Sequence, residues 1–167
     1  MLKAQILDRV LQAYRIGDAN GEYPIFDAAG SKLYPGRWNN SSSPMIYTSE
    51  HYSTAMLEKL IHGSGKMPRN QHYVVITIPN GVTYETVSLY GLRGWDDPSG
   101  LVSRHYGETW YRERRSLILM VPSVVARIEM NILINPDHPD FSRITHGLHQ
   151  PVWWDERLYP EADTGQA

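Results

Sequence analysis

Cysteine is absent from this chain of 167 residues. That excludes disulfides, thiolate nucleophiles and cysteine-ligated zinc, and it fits a reducing, cytoplasmic setting. Charge of one sign is also lacking. Sixteen basic and eighteen acidic residues leave a formal charge of −2, which argues against a general nucleic-acid binder, because phosphate neutralisation needs clustered positive charge. The densest basic run, Arg112, Arg114 and Arg115, is broken by Glu113 and reads as a solvated helix end. Long apolar runs are missing as well. The opening "MLKAQILDRVLQAYRIGD" carries a charge every few residues and is expected to be neither a signal peptide nor a membrane span. The phosphate-loop patterns G-x-x-x-x-G-K-[ST] and G-x-G-x-x-G do not occur, nor does H-E-x-x-H, nor a G-x-S-x-G elbow around Ser123. His146 and His149 are three apart but flank Gly147 in a loop-like stretch. No metal site is expected.

What is present suits one α+β domain with a core of its own. No repeat, linker or low-complexity block divides the chain. A single domain is expected over 1–167, with its core at about 9–145 and a tail, 146–167, that docks on the body or contacts a partner. "RVLQAYRI" (9–16) reads as a strand ending at Gly17-Asp18, and 20–36 as irregular. "PMIYT" (44–48) reads as a short strand. A helix over 49–62 is expected to follow, capped by Thr48 or Ser49, with Glu50 in its first turn and Gly63 as its stop. "HYVVITIP" (72–79) is the clearest strand. Asp97-Pro98 suggests a helix start, with the helix over about 99–114 and a break at Gly107. "SLILMVP" (116–122) reads as a buried strand and "ARIEMNILIN" (126–135) as a half-buried one, with Ile128, Met130, Ile132 and Ile134 at period two. Strict βαβ alternation is absent, which disfavours a doubly wound parallel sheet.

Two residues have two readings each. Arg37, in Gly36-Arg37-Trp38-Asn39, offers a planar fork for phosphate. The plainer reading has it stack on Trp38 in a turn. Glu58 falls on the helix face of His51, Thr54 and His62, opposite the stripe Tyr52–Met56–Leu60. It is either a solvated partner of His62 at i+4 or a carboxylate lining a cleft. Pattern alone separates neither pair.

The motifs in order resemble the RES domain, the toxin half of bacterial RES–Xre toxin–antitoxin pairs. They are Tyr14-Arg15, "GRWN" at 36–39, P-x-x-Y-T-S at 44–49, A-x-x-E-x-L-x-H at 55–62, "VPS" at 121–123 and N-x-L-x-N-P-x-H-P-x-F at 131–141. The resemblance implies a fold similar to ADP-ribosyltransferase toxins, with mixed or antiparallel central sheets and flanking helices. It implies consumption of NAD+ at the nicotinamide–ribose bond, by hydrolysis or phosphorolysis, with protein ADP-ribosylation or a non-enzymatic binding module as alternatives. Carried over, Arg15, Glu58 and Ser123 are the family's name-giving arginine, glutamate and serine. On that basis Glu58 stabilises charge on the ribose, while Arg15 and Arg37 clamp the pyrophosphate. Tyr47 offers a face and a hydroxyl to nicotinamide, Ser123 bonds the nicotinamide amide or ribose, and Asn39 holds the loop. The resemblance further implies no metal and no cofactor besides NAD+ as substrate. The implied partner is a cognate antitoxin with a helix-turn-helix DNA-binding part, some of which insert a C-terminal segment into the cleft. A toxin dimer within the larger complex is possible on the same grounds.

Overall fold

The computed structural model describes residues 3–63 and 65–159. Its elements in chain order are β1 (Gln5–Ile6), β2 (Leu11–Asp18), α1 (Ala29–Leu33), β3 (Ile46–Ser49), α2 (Tyr52–Ile61), β4 (Gln71–Ile78) and β5 (Thr83–Thr86), followed by α3 (Leu101–Glu113), β6 (Ile118–Pro122), β7 (Met130–Ile134), β8 (Thr145–His146) and β9 (Gln150–Pro151). The nine strands form one sheet ordered β1-β5-β6-β7-β3-β2-β4-β8, with β9 also on β4. All its pairings are antiparallel except β5–β6. The fold is therefore α+β, as the sequence implies. From the tail, β8 and β9 dock along the outer edge of β4, and residues 160–167 lie outside the described region.

The two faces of the sheet bury different chemistry. In the rows across β6, β7 and β3, Ile118, Ile134 and Ile46 face one way, joined by Ile132, Ile76 and Ile78 in an aliphatic core. Leu119, Leu133 and Tyr47 face the other way, where α3 supplies Trp110 and the loops supply Trp38, Met45 and Trp95. Period-two alternation thus assigns one face to aliphatic packing and the other to an aromatic layer.

Several expectations are corrected. α1 forms inside the stretch read as irregular, with the buried hydroxyl of Ser31 donating to Met45 O (2.7 Å). α2 starts one turn late. Its N-cap is His51, with no side-chain cap, and Glu50 lies before it. α2 also presents its small polar face inward: Thr54 and Ala55 are buried, while Leu57 and Ile61 are exposed. α3 begins after Gly100, at φ 64°, and runs unbroken through Gly107. Ile128 is 90% exposed, because β7 begins only at Met130. Nor is Arg115 a solvated helix end, since it holds the buried carboxylate of Glu85 through Nε and Nη2 (3.0 and 3.1 Å).

One irregularity positions the site. β2 pairs with β4 along all eight of its residues, but with β3 only at Tyr14↔Ser49. Beyond that pair the two strands part. Backbone groups on the facing edges then need other partners, and a side chain of β2 supplies one.

Candidate functional site

The parting of β2 and β3 is bridged by Arg15. Its Nε donates to Ile25 O and its Nη1 to Tyr47 O (2.7 Å), so the guanidinium stands in for missing strand pairing. No carboxylate within salt-bridge distance neutralises it among the described residues. Burial pulls it down to about 10, opposed by Asp27 and Tyr47, and at neutral pH it keeps its charge.

A cleft of about 770 Å³ opens over this seam, within the range of small-molecule sites. Its floor is β2, β3 and β7. α2 forms one wall, and the 34–38 turn with the start of α3 forms the other.

Glu58 projects from α2 into this cleft and is the only Asp or Glu lining it among the described residues. Ser123 Oγ and Asn131 Nδ2 both donate to the same oxygen, Oε1, at 2.8 and 2.7 Å. Asn131 is fixed in turn by Ser49 Oγ donating to its Oδ1 (2.7 Å). Oε2 has no hydrogen-bond partner among the described residues. The carboxylate is thus immobilised through one oxygen while the other is left to a ligand, the arrangement that preorganisation requires. The reading of Glu58 as a solvated partner of His62 is overturned, because donors on β7 and just after β6 draw it inward.

Ser123 is fully buried. Its hydroxyl donates to Glu58 and accepts from Ala126 N–H (3.0 Å). The structure therefore places it behind the carboxylate, outside the cleft lining. Asn131 was missed from the sequence as a site residue. The period-two pattern of Met130, Ile132 and Ile134 puts it on the outer face of a half-buried strand, so nothing in the pattern marks it.

On the opposite wall, Asn39 uses its full bonding capacity. Oδ1 accepts from Gly36 N–H and Tyr47 O–H (both 2.8 Å), and Nδ2 donates to Ser31 O and Asn40 O. It holds the loop. Tyr47 lines the cleft with its ring, but its hydroxyl is engaged by Asn39 and by Trp38 N–H (3.1 Å), and burial raises its pKa. Gly36 is required beside it, since a Cβ there would lie 2.7 Å from the Tyr47 ring and hydroxyl. Arg37 does not stack on Trp38, which stacks on Trp95 instead (interplanar 15°). Its Nη1 donates to Asp97 O (2.7 Å) and Trp95 O (3.2 Å), leaving Nε and Nη2 without a protein partner among the described residues. Two further cations, Lys59 and Arg104, also line the cleft. Desolvation lowers the Lys59 pKa, and nearby Arg15 adds to the shift.

The site therefore combines four cationic side chains with one braced carboxylate, which suits an anionic ligand that develops positive charge at one point. Among the described residues no three His, Asp or Glu side chains converge as a metal cluster, and no helix is long and apolar enough to cross a membrane.

Comparison with known proteins agrees in family and in fold. The family described as "RES domain" matches residues 12–155. A "Prs ADP-ribosylating toxin" of Sphingobium sp. (strain YBL2) is 36% identical over 139 residues, covering 80% of this chain and 86% of that protein. A "Toxin Res" of Photorhabdus laumondii is 29% identical over 133 residues, 78% of this chain and 85% of that one. A chain in the crystal structure of the M. tuberculosis MbcT-MbcA toxin-antitoxin complex superposes with a TM-score of 0.67 at 15% identity, over 93% of this chain and 90% of that chain.

Proposed function

Because this chain belongs to the RES domain family, we propose that it is the toxin of a toxin–antitoxin pair and an enzyme that cleaves NAD+ at the nicotinamide–ribose bond. The observation that carries this reading is the posture of Glu58, with Oε1 braced by Ser123 and Asn131 and Oε2 left to the cleft. In the reaction the C1′–N bond breaks and its electron pair leaves with nicotinamide, which departs neutral. The ribose becomes oxocarbenium-like, as in glycoside cleavage. A fixed carboxylate stabilises that charge more in the transition state than in the ground state. The cations that line the cleft, Arg15, Arg37, Lys59 and Arg104, attract the pyrophosphate. Ser123 acts by holding Glu58. Water or phosphate takes the ribose carbon. The antitoxin, with a helix-turn-helix part that binds DNA, restrains activity by covering the cleft.

The test is incubation of partner-free protein with NAD+, with and without phosphate, following nicotinamide and sugar products by chromatography. Release of nicotinamide is the expected result, and its phosphate dependence names the acceptor. No release from folded protein would overturn the reading. A second reading, transfer of ADP-ribose to a protein, is favoured by the printed name of the 36% identical relative. Label appearing on an added protein instead of as free sugar product would select it.

Ser123→Ala tests the bracing. It deletes one of the two donors on Oε1 and leaves the Ala126 amide without its acceptor. Loss of a hydrogen bond to a charged group costs about 1.5–3 kcal/mol. Turnover should fall about 10-fold or more, with KM for NAD+ little changed. Unchanged turnover would mean that Asn131 suffices to hold Glu58.

A further inference from the structure

Three arginines line the cleft, and their bonding differs. Arg15 is committed to two backbone carbonyls across the seam. Arg37 gives Nη1 to the carbonyls of Trp95 and Asp97. Arg104 makes no hydrogen bond or ion pair to the protein among the described residues, although it is half-buried in the cleft wall. A half-buried guanidinium without an acceptor is costly unless a ligand or water completes it.

Its mounting is rigid. Ser103, the preceding residue, is fully buried and its hydroxyl donates to Trp95 O (3.0 Å), the same carbonyl that accepts from Arg37. Gly107, three residues on, lies against the Trp38 backbone. Arg37 therefore fastens the 95–97 turn and with it the start of α3, while Arg104, one turn into α3, presents its fork to the cleft. Along the strands, Glu58 is braced at the row of Ser49 and Asn131. Arg104 lies on the opposite wall, at the start of α3, whereas Glu58 comes from α2. Carboxylate and free arginine thus mark different parts of one cleft, as a ligand with separate ribose and diphosphate ends requires.

We propose that Arg104 is the residue by which the cleft recognises the diphosphate of its nucleotide ligand, and that Arg37 is a positioning residue for the segment carrying it. This rests on the reading of the cleft as a site for an NAD+-like dinucleotide. The planar fork of Arg104 suits bidentate binding of phosphate oxygens. Because no protein contact holds it, its removal should not loosen the fold, unlike that of Arg37.

The experiment is calorimetric titration of the partner-free protein with ADP, and with adenosine as a control lacking phosphate. ADP is expected to bind about 10- to 100-fold more weakly to Arg104→Ala than to the parent, the range of a charged hydrogen-bonded contact. Arg104→Lys should recover part of the loss, and adenosine should not distinguish the variants. The melting temperature should stay at or above the parent's in Arg104→Ala but fall in Arg37→Ala. ADP binding equal in parent and Arg104→Ala, or no ADP binding by the parent, overturns the assignment. Arg104-dependent ADP binding by a protein that releases no nicotinamide from NAD+ would retain this inference and overturn the proposed reaction.

Discussion

Glu58→Gln is expected to lower nicotinamide release about 1,000-fold, the scale seen when one preorganised transition-state contact is lost, while NAD+ still binds. The geometry makes the substitution unusually clean. Both protein donors reach Oε1, so the glutamine carbonyl can take that place and keep Ser123 and Asn131 satisfied. The amide nitrogen then occupies the Oε2 position and turns a donor toward the ribose where a negative charge had been. Ground-state affinity should hold or improve, because a negative charge is removed from the cleft proposed for a pyrophosphate. Such a loss in kcat without a rise in KM marks an interaction made in the transition state. Initial rates over a range of NAD+ concentrations, with binding measured separately, check it. Turnover equal to the parent's would remove Glu58 from the chemistry.

Gly107→Ala is expected to destabilise the fold by at least about 3 kcal/mol, at the upper end for overpacking. The sign opposes helix propensity, since alanine in a helix interior normally gains about 1 kcal/mol over glycine. Here a Cβ would lie 1.9 Å from Trp38 O and 2.9 Å from its carbonyl carbon. These are backbone atoms of a buried turn held by Asn39 and by the Tyr47 hydroxyl, so neither side can yield cheaply. The melting temperature should drop by about 6–12 °C for a chain of this size, measurable by scanning calorimetry. An unchanged or higher value would mean that α3 is not seated on the 36–39 turn. Because α3 carries Arg104 and Ser103, surviving folded protein should also bind nucleotide more weakly.

Gly107 shows where sequence pattern stops. An isolated glycine in a helical stretch reads as a break, whereas the helix passes straight through and the missing side chain makes room for another segment. Strands β4 and β6 were legible because apolar runs and turn residues mark them locally. The four-residue β3 was legible too, from its apolar start after Pro44, whereas β1, β5, β8 and β9 were not, because they are short and specified by the edges they join. The same limit applies to the site. Glu58 was visible as a carboxylate on a helix, but its inward direction depends on donors 65 and 73 residues away. Tyr52, Met56 and Leu60 stay half-buried, with Tyr52 edge-on to Tyr14 and Tyr73, while the residues that α2 buries most fully are Thr54 and Ala55. Arg37 and Arg104 have the same chemistry in sequence, and only the structure shows that Arg37 gives Nη1 to two carbonyls while Arg104 has no protein partner among the described residues. The family resemblance supplied the identity of the key residues. The structure then divided them into those that line the cleft and those, such as Ser123 and Asn39, that stand behind it.

The single register pair between β2 and β3 leaves the sheet as two rafts, moored at the seam by Arg15 together with α2 and the shared aliphatic core. A ligand gripped from both sides of that seam would tighten the mooring, so its binding energy and the stiffness of the sheet become linked quantities.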